Sequence, residues 1–215
     1  MDDDLFSVKG KVVIITGGGQ GIGEFLALGL SKRRAIVYCI DKKFKKSKNR
    51  RGLQDMLCDI TKLDEIKSVC SEIIKRNKKV DVLINNAGIT MPNNSDNYSL
   101  ESWSKTLDIN LTGAFSFTQQ VLKQMKKNHS GSIINITSIN AEFGFPNNPA
   151  YIASKGGLKM LGKSLARDWG KYGIRVNNLG PGYIITKMTE KSFQNKKIRD
   201  SRKSNTMLGR WGKPE

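Results

Sequence analysis

The chain has 215 residues, 38% of them hydrophobic, and this size and composition are typical of one globular domain with a buried core. No apolar run approaches the roughly 18 residues that a membrane-spanning helix needs, and Met1 to Val8 lack the features of a secretory signal, so we expect a cytoplasmic protein without a membrane partner. A single histidine and three cysteines without CxxC spacing predict no metal site.

The formal net charge is +18, from 37 basic and 19 acidic residues. Basic side chains cluster at 42–51 and again at 187–203. Such clusters can bind a polyanion, but these match no known nucleic-acid-binding motif. We therefore interpret them as solvated loops and do not expect nucleic acid to be a partner.

Short apolar runs alternate with longer segments of helical periodicity along the chain. The runs predict six strands, at Val12–Thr16, Ala35–Ile40, Met56–Cys58, Val80–Ile84, Ser132–Ile136 and Arg175–Leu179. The longer segments predict helices at Ile22–Lys32, Lys62–Arg76, Ser102–Lys127 and Tyr151–Lys171. Apolar strands separated by helices are typical of a parallel sheet covered on both faces. The sequence therefore predicts an α/β fold with a Rossmann-like, doubly wound parallel sheet, in one domain over residues 1–215.

A glycine-rich turn connects the first predicted strand to the first predicted helix, and Gly17, Gly21 and Gly23 give it a GxxxGxG spacing. Glycines permit a tight turn and a close approach of the backbone to a pyrophosphate, and the helix N-terminus offers free N–H groups to the phosphates. The turn therefore predicts a dinucleotide site, formed by Gly17, Gly19, Gln20, Gly21, Ile22 and Gly23.

The second predicted strand is followed by Asp41. A carboxylate at this point can accept hydrogen bonds from both hydroxyls of an adenosine ribose, and it repels a 2′-phosphate. Lys42 and Lys43 follow at once and could weaken that repulsion. The sequence therefore predicts NAD as the cofactor, with NADP less favoured.

Three further motifs follow the glycine-rich turn: Asn85-Asn86-Ala87-Gly88, then Tyr151-Ile152-Ala153-Ser154-Lys155, and then Pro181-Gly182 with Thr186 and Met188. They resemble the NNAG element, the YxxxK element and the PGxxxTxM arrangement of the short-chain dehydrogenase/reductase superfamily. These motifs follow the TGxxxGIG turn in the family's order, over essentially the whole chain. The resemblance implies cofactor contacts at Asp59, Ile60, Asn86, Ala87, Gly88, Tyr151, Lys155, Pro181, Gly182, Ile184, Thr186 and Met188.

Four residues, Asn110, Ser138, Tyr151 and Lys155, are the predicted catalytic set. Tyr151 and Lys155 share one helix face, and a nearby ammonium together with an oxidised nicotinamide favours the phenolate of a phenol whose ordinary pKa is about 10. We therefore expect Tyr151 to act as general acid in reduction and general base in oxidation, while Ser138 polarises the substrate oxygen. The resemblance implies that Lys155 grips the nicotinamide ribose, that Asn110 holds a water linking Lys155 to solvent, and that Thr186 anchors the carboxamide.

The predicted function is hydride transfer between NAD(H) and a carbonyl or alcohol. Polar residues after Ser138 and around Asn147, including Asn140, Glu142 and Asn148, favour a sugar, sugar acid or polyol as substrate. One alternative is a 3-oxoacyl-[acyl-carrier-protein] reductase, whose acidic partner a basic surface would steer. The other is a catalytically silent fragment or polyanion-binding protein.

The family resemblance also carries expectations about the end of the sheet and about assembly. Members of the family continue with a further helix and a seventh strand, so we expect six of the usual seven strands here, with the sixth at an exposed edge. They commonly pair the helices that carry the equivalents of Asn110 and Tyr151, which implies a homo-oligomer.

Overall fold

The computed structural model describes residues 6–44, 50 and 52–214. Six parallel strands form one sheet in the order β3-β2-β1-β4-β5-β6. The strands are β1 (Val12–Thr16), β2 (Ile36–Asp41), β3 (Leu53–Leu57), β4 (Val82–Asn85), β5 (Gly131–Ile136) and β6 (Ile174–Leu179). The strand order reverses between β1 and β4, where a doubly wound sheet opens a ligand crevice. The predicted Rossmann-like α/β fold is confirmed.

Helices cover both faces of this sheet because its strands are apolar on both sides. The helices are α1 (Gly21–Lys32), α2 (Leu63–Asn77), α3 (Leu100–Leu107), α4 (Gly113–Lys127), α5 (Pro149–Trp169), α6 (Glu190–Gln194) and α7 (Lys196–Ser204). Alternate residues of β1 enter two cores: Val12 and Ile14 pack with α2, α4 and α5, whereas Val13 and Ile15 pack with α1. In the described ranges no helix is long and apolar enough to cross a membrane.

The long helix predicted over Ser102–Lys127 is helical throughout, but it begins two residues earlier and contains a π-helical turn. The helical segment begins at Leu100, after Ser99 caps it by accepting a hydrogen bond from the Ser102 N–H at 3.2 Å. A π-helical turn over Asp108–Thr112 then separates α3 from α4. An extra residue in one turn leaves the apolar periodicity on either side intact, so hydrophobic spacing did not reveal it.

Three other differences have simple physical causes. The third strand was predicted at Met56–Cys58 but begins earlier, at Leu53, because β3 lies at the sheet edge and includes polar residues. The last long helix ends at Trp169 and is followed by a short 3₁₀ turn over Gly170–Tyr172. Helices α6 and α7 were not predicted, since their sequence is mainly polar and basic.

Candidate active site

A cleft of about 490 Å³ lies at the carboxyl ends of β1, β2, β4 and β5. Most of the predicted site residues line it: Gly17, Gln20, Gly21, Ile22, Asp41, Asp59, Ile60, Asn86, Ala87, Gly88, Ser138, Tyr151, Lys155, Pro181, Gly182, Ile184, Thr186 and Met188. Gly19, Gly23 and Asn110 are not part of the lining. All three are buried: Gly19 and Asn110 hydrogen-bond to neighbouring residues, and Gly23 leaves room for the packing of the glycine-rich turn.

The glycine-rich turn needs glycine for two different reasons. Gly17 and Gly21 adopt positive φ angles of 66° and 58°, a region that residues with a Cβ rarely enter. Gly23 lacks space instead, because a Cβ there would collide with the carbonyl oxygen of Gly17 and with the Asn86 side chain. The N-terminus of α1 can therefore approach a bound pyrophosphate closely, so the turn fits a dinucleotide.

Thr16 fastens the loop after β4 to the glycine-rich turn, and sequence reasoning missed this role. Its Oγ1 accepts hydrogen bonds from the backbone N–H groups of Asn86 and Ala87, both at 3.1 Å. The Asn86 amide donates in return to the carbonyl oxygens of Thr16 at 2.9 Å and Gly17 at 3.1 Å. The only signal in the sequence was a threonine directly before the first glycine.

Asp41 lines the cleft at the carboxyl end of β2, where its Oδ2 accepts a hydrogen bond from the Gly19 N–H at 3.0 Å. Lys42, which we expected to weaken the repulsion of a 2′-phosphate, forms an ion pair with Asp59 at 2.8 Å. Although burial alone would raise it, hydrogen bonds from Lys42 and Thr61 lower the pKa of Asp59 to about 2. The Lys42 ammonium is therefore already partnered by a carboxylate.

Arg50 contradicts the interpretation of the first basic cluster as a solvated loop. Its side chain is only 10% exposed and forms ion pairs with Glu24 and Asp55, at 3.3 and 2.6 Å. The guanidinium also donates to the Gly18 carbonyl oxygen at 3.0 Å and lies over the Phe44 ring at 5.1 Å. Arg50 thus supports the glycine-rich turn from below. Residues 45–49 and 51 of the cluster lie outside the described part of the chain.

Ser138, Tyr151 and Lys155 meet at the centre of the cleft. The Lys155 Nζ is buried, donates to the Ile136 carbonyl oxygen at 2.7 Å and lies 5.8 Å from the centroid of the Tyr151 ring. Burial lowers the pKa of Lys155 to about 8. Burial also raises the pKa of Tyr151, against a hydrogen bond with Ser138 that lowers it. The expected downward shift of the Tyr151 pKa is therefore not produced by the protein's own groups, because desolvation of the phenolate outweighs them.

Asn110 lies in the π-helical turn and is completely buried. Its Oδ1 accepts from the Ile89 N–H at 2.8 Å, and its Nδ2 donates to the Ile89 carbonyl oxygen at 2.9 Å and to the Ser154 Oγ at 3.0 Å. A Cβ on Gly88 would lie 3.3 Å from the Asn110 Oδ1 and 3.4 Å from the Lys155 Nζ. Asn110 thus joins the loop after β4 to α5 beside Lys155, and its role in holding a water stays a prediction.

A row of asparagines crosses the sheet just below the cleft, and sequence reasoning did not single it out. Asn85, Asn135 and Asn178 are register partners on β4, β5 and β6. Asn85 donates to the Asn135 Oδ1 at 3.0 Å, and Asn135 donates to the Asn178 Oδ1 at 3.1 Å. This row fixes the strand ends from which Asn86 and Ser138 emerge. Its signal was an asparagine near the end of each of these three strands.

The segment after β6 closes over the glycine-rich turn. The Thr189 Oγ1 accepts from the Thr186 N–H at 2.9 Å and donates to the Ile184 carbonyl oxygen at 2.6 Å. A Cβ on Gly21 would lie 3.8 Å from Thr186. The backbone of Ile185 is held by the Gly212 carbonyl oxygen at 3.0 Å. Thr186 and Met188 are thereby placed over the cleft.

The polar residues expected at the substrate end lie mostly outside the cleft lining. Glu142 forms an ion pair with Lys159 of α5 and lines a separate groove beside β6. The Asn148 Nδ2 donates to the Thr90 Oγ1 at 2.8 Å, and it is Thr90 that reaches the cleft. The described residues include no cluster of three or more histidine, cysteine, aspartate or glutamate side chains suited to a metal ion.

A model of the short chain dehydrogenase family matches residues 11–197. The chain is 36% identical to a 3-oxoacyl-[acyl-carrier-protein] reductase of Thermotoga maritima, over 97% of this chain and 87% of the relative. It is 33% identical to a gluconate 5-dehydrogenase of Gluconobacter oxydans, over 99% of this chain and 86% of the relative. A crystal structure of a gluconate 5-dehydrogenase from Burkholderia cenocepacia in complex with NADP and tartrate superposes with a TM-score of 0.93 at 32% identity, covering 98% of this chain and 86% of that one.

Proposed function

Because the chain belongs to the short-chain dehydrogenase family of oxidoreductases, we propose that it transfers a hydride between NAD(H) and the carbonyl or alcohol carbon of a sugar, sugar acid or polyol. The observation that carries this proposal is the meeting of Ser138, Tyr151 and Lys155 in the same cleft as the glycine-rich turn. The gluconate 5-dehydrogenase relatives support the substrate class.

Tyr151 is the proposed proton donor to the carbonyl oxygen in reduction and the acceptor in oxidation. Its raised pKa keeps the phenol protonated at neutral pH, which suits the donor role. A bound nicotinamide supplies or accepts the hydride, and its oxidised ring adds a positive charge that favours the phenolate. The protonated Lys155 acts in the same direction, and Ser138 donates a hydrogen bond to the substrate oxygen as negative charge develops there.

NAD(H) is the proposed cofactor because of the charges around the adenosine end. Asp41 faces the cleft, whereas Lys42 is paired with Asp59 and Arg50 with Glu24 and Asp55. The Asp41 carboxylate can therefore accept a hydrogen bond from a ribose 2′-hydroxyl, and it would repel a 2′-phosphate. NADP is bound in the structure of a gluconate 5-dehydrogenase and in that of a protein described as an NAD(P)-dependent gluconate 5-dehydrogenase, whereas NAD(H) is proposed for this chain.

The test is a titration of the chain with NADH and with NADPH, followed by cofactor fluorescence and by thermal stability. We expect saturable NADH binding, much tighter than NADPH binding, and a higher melting temperature with NADH. Tighter binding of NADPH would contradict the cofactor assignment, and absence of binding by both would contradict the function.

A second candidate function is reduction of a 3-oxoacyl thioester on an acyl carrier protein. It is supported by the 36% identity to the Thermotoga maritima reductase. A substrate panel distinguishes the two: NADPH-linked reduction of a 3-oxoacyl thioester, without activity on sugar acids or polyols, would establish the second candidate. NADH-linked reduction of a ketone derived from a sugar acid would establish the first.

Self-association is also proposed, through α4 and α5. Met160 on the outer side of α5 is 60% exposed, and a second copy of the chain that packs against this helix would cover it. Light scattering coupled to gel filtration tests this proposal, with a dimer or tetramer as the expected result and a monomer at micromolar concentration as the contradicting one.

A further inference from the structure

Arg202 of α7 lies in a box of three aromatic rings. Its guanidinium carbon is 5.0 Å from the ring centroid of Tyr183, 5.3 Å from that of Phe145 and 5.6 Å from that of Trp211. Trp211 in turn contacts Tyr183 at 5.5 Å between ring centroids and donates from its indole N–H to the Arg199 carbonyl oxygen at 3.0 Å. The rings therefore hold the guanidinium in a defined orientation.

This cation has no anionic partner among the described residues. Its Nε is buried and makes no hydrogen bond there. Glu142, from the segment before Phe145, pairs with Lys159, and Asp200 on α7 pairs with Arg199. The rings attract a cation, but they do not accept the in-plane N–H bonds of a guanidinium. A partly buried guanidinium left in this state costs free energy that a bound anion would recover.

The box stands beside the substrate end of the cleft. Tyr183 lies between Gly182 and Ile184, which both line the cleft. Phe145 belongs to the segment that joins Ser138 to the start of α5, which carries Tyr151. One ring thus comes from the segment between Ser138 and Tyr151 and another from a segment that lines the cleft, so a chain-like substrate that reaches Ser138 can extend toward them.

We propose that Arg202 binds the carboxylate of the substrate, so that the preferred substrate is a sugar acid rather than a neutral sugar or polyol. A guanidinium presents two parallel N–H donors that match the two oxygens of a carboxylate. This inference rests on the proposed function, and it adds a specificity-determining residue outside the residues that define the family's motifs.

The test compares two ligands that differ in the carboxylate, gluconate and sorbitol. Their binding is measured by isothermal titration calorimetry with and without saturating NADH. Gluconate cannot be oxidised in this experiment, because NADH is already the reduced form of the cofactor. The variants are Arg202→Met, Arg202→Lys and the control Lys203→Met, which removes the neighbouring exposed cation of α7. We expect Arg202→Met to weaken gluconate binding about tenfold or more, the effect of losing a charged hydrogen bond. We expect the gluconate affinity of Arg202→Lys to lie between those of Arg202→Met and the unchanged chain. Lys203→Met should bind gluconate as the unchanged chain does.

Sorbitol binding and NADH binding should stay the same in all three variants. Equal affinity of Arg202→Met and the unchanged chain for gluconate would overturn the proposal, as would equal losses for gluconate and sorbitol. If Arg202→Met does not melt cooperatively, the Arg202→Lys variant decides, since it keeps the cation and loses only the paired donors. A different result would show that the proposed function itself is wrong: neither cofactor would bind, and no hydroxylated substrate would be turned over.

Discussion

Asn85 of β4 donates a hydrogen bond to Asn135 of β5 at 3.0 Å, directly beneath the two strand ends that supply Asn86 and Ser138 to the cleft. Both asparagines are buried, so their N–H groups need partners inside the protein: Asn85 donates to Asn135 and also to the Thr118 Oγ1 at 2.9 Å, and Asn135 donates to Asn178. The position of the reaction centre therefore depends on a polar row inside the sheet as well as on the residues that line the cleft.

Replacing Asn135 with leucine is expected to lower the free energy of unfolding by about 1–3 kcal/mol, because it leaves buried groups of Asn85 and Asn178 without a partner. Urea unfolding followed by circular dichroism measures this. The control is Asn177→Leu on the neighbouring strand, where the side chain is exposed. Equal effects of the two changes would contradict a structural role for the row.

Gly23→Ala is expected to weaken NADH binding strongly, because the new Cβ would collide with the Gly17 carbonyl oxygen and the Asn86 side chain. The matched control is Gly29→Ala in the same helix, where the nearest atom to an added Cβ is the end of the Arg33 side chain at 3.7 Å. That change should preserve NADH binding and raise stability by up to about 1 kcal/mol. A normal dissociation constant for Gly23→Ala would show that the tight packing is not needed.

Because Lys155 is buried, we expect its contribution to the free energy of unfolding to depend on pH. Its pKa falls from 10.5 to about 8 in the folded chain, so between these values the unfolded chain binds the extra proton. The contribution of Lys155 to stability therefore rises with pH across this window, by up to about 3 kcal/mol. The free energy of unfolding is measured from pH 7 to 11 for the unchanged chain and for Lys155→Met. We expect the value of the unchanged chain to rise relative to that of the variant as the pH rises. A difference that stays constant over this range would contradict burial as the cause.

Asp41→Ser is expected to improve NADPH binding relative to NADH by about tenfold, because it removes the negative charge that repels a 2′-phosphate. The control is Asp64→Ser on α2, where the carboxylate is almost fully exposed. Fluorescence titration with both cofactors measures the ratio of dissociation constants. If the ratio of the NADPH and NADH dissociation constants is unchanged in Asp41→Ser, a group other than Asp41 determines the cofactor preference.

The sequence was sufficient to predict the sheet, its parallel direction and most of the cleft lining, because strand periodicity and motif order determine which residues reach one edge. It did not reveal the π-helical turn around Asn110, since one extra residue leaves the apolar spacing on either side unchanged. The buried ion pairs of Arg50 were also missed, because a basic residue in a basic run carries no local sign of burial. The aromatic box around Arg202 was not predicted either, because its rings come from three separate segments that only the fold brings together.

Deuterium transfer from labelled NADH to the substrate shows whether the chain catalyses hydride transfer. The chain is incubated with NADH that carries deuterium at both C4 positions and with 5-keto-gluconate, and the product is examined by mass spectrometry. We expect a product that carries one deuterium. We also expect Tyr151→Phe to lose about 10²–10⁴-fold in rate, the usual contribution of a general acid, while it still binds NADH. The control Tyr172→Phe, in the 3₁₀ turn after α5, should react at the normal rate. A product without deuterium, or equal rates in Tyr151→Phe and the unchanged chain, would contradict hydride transfer at this site.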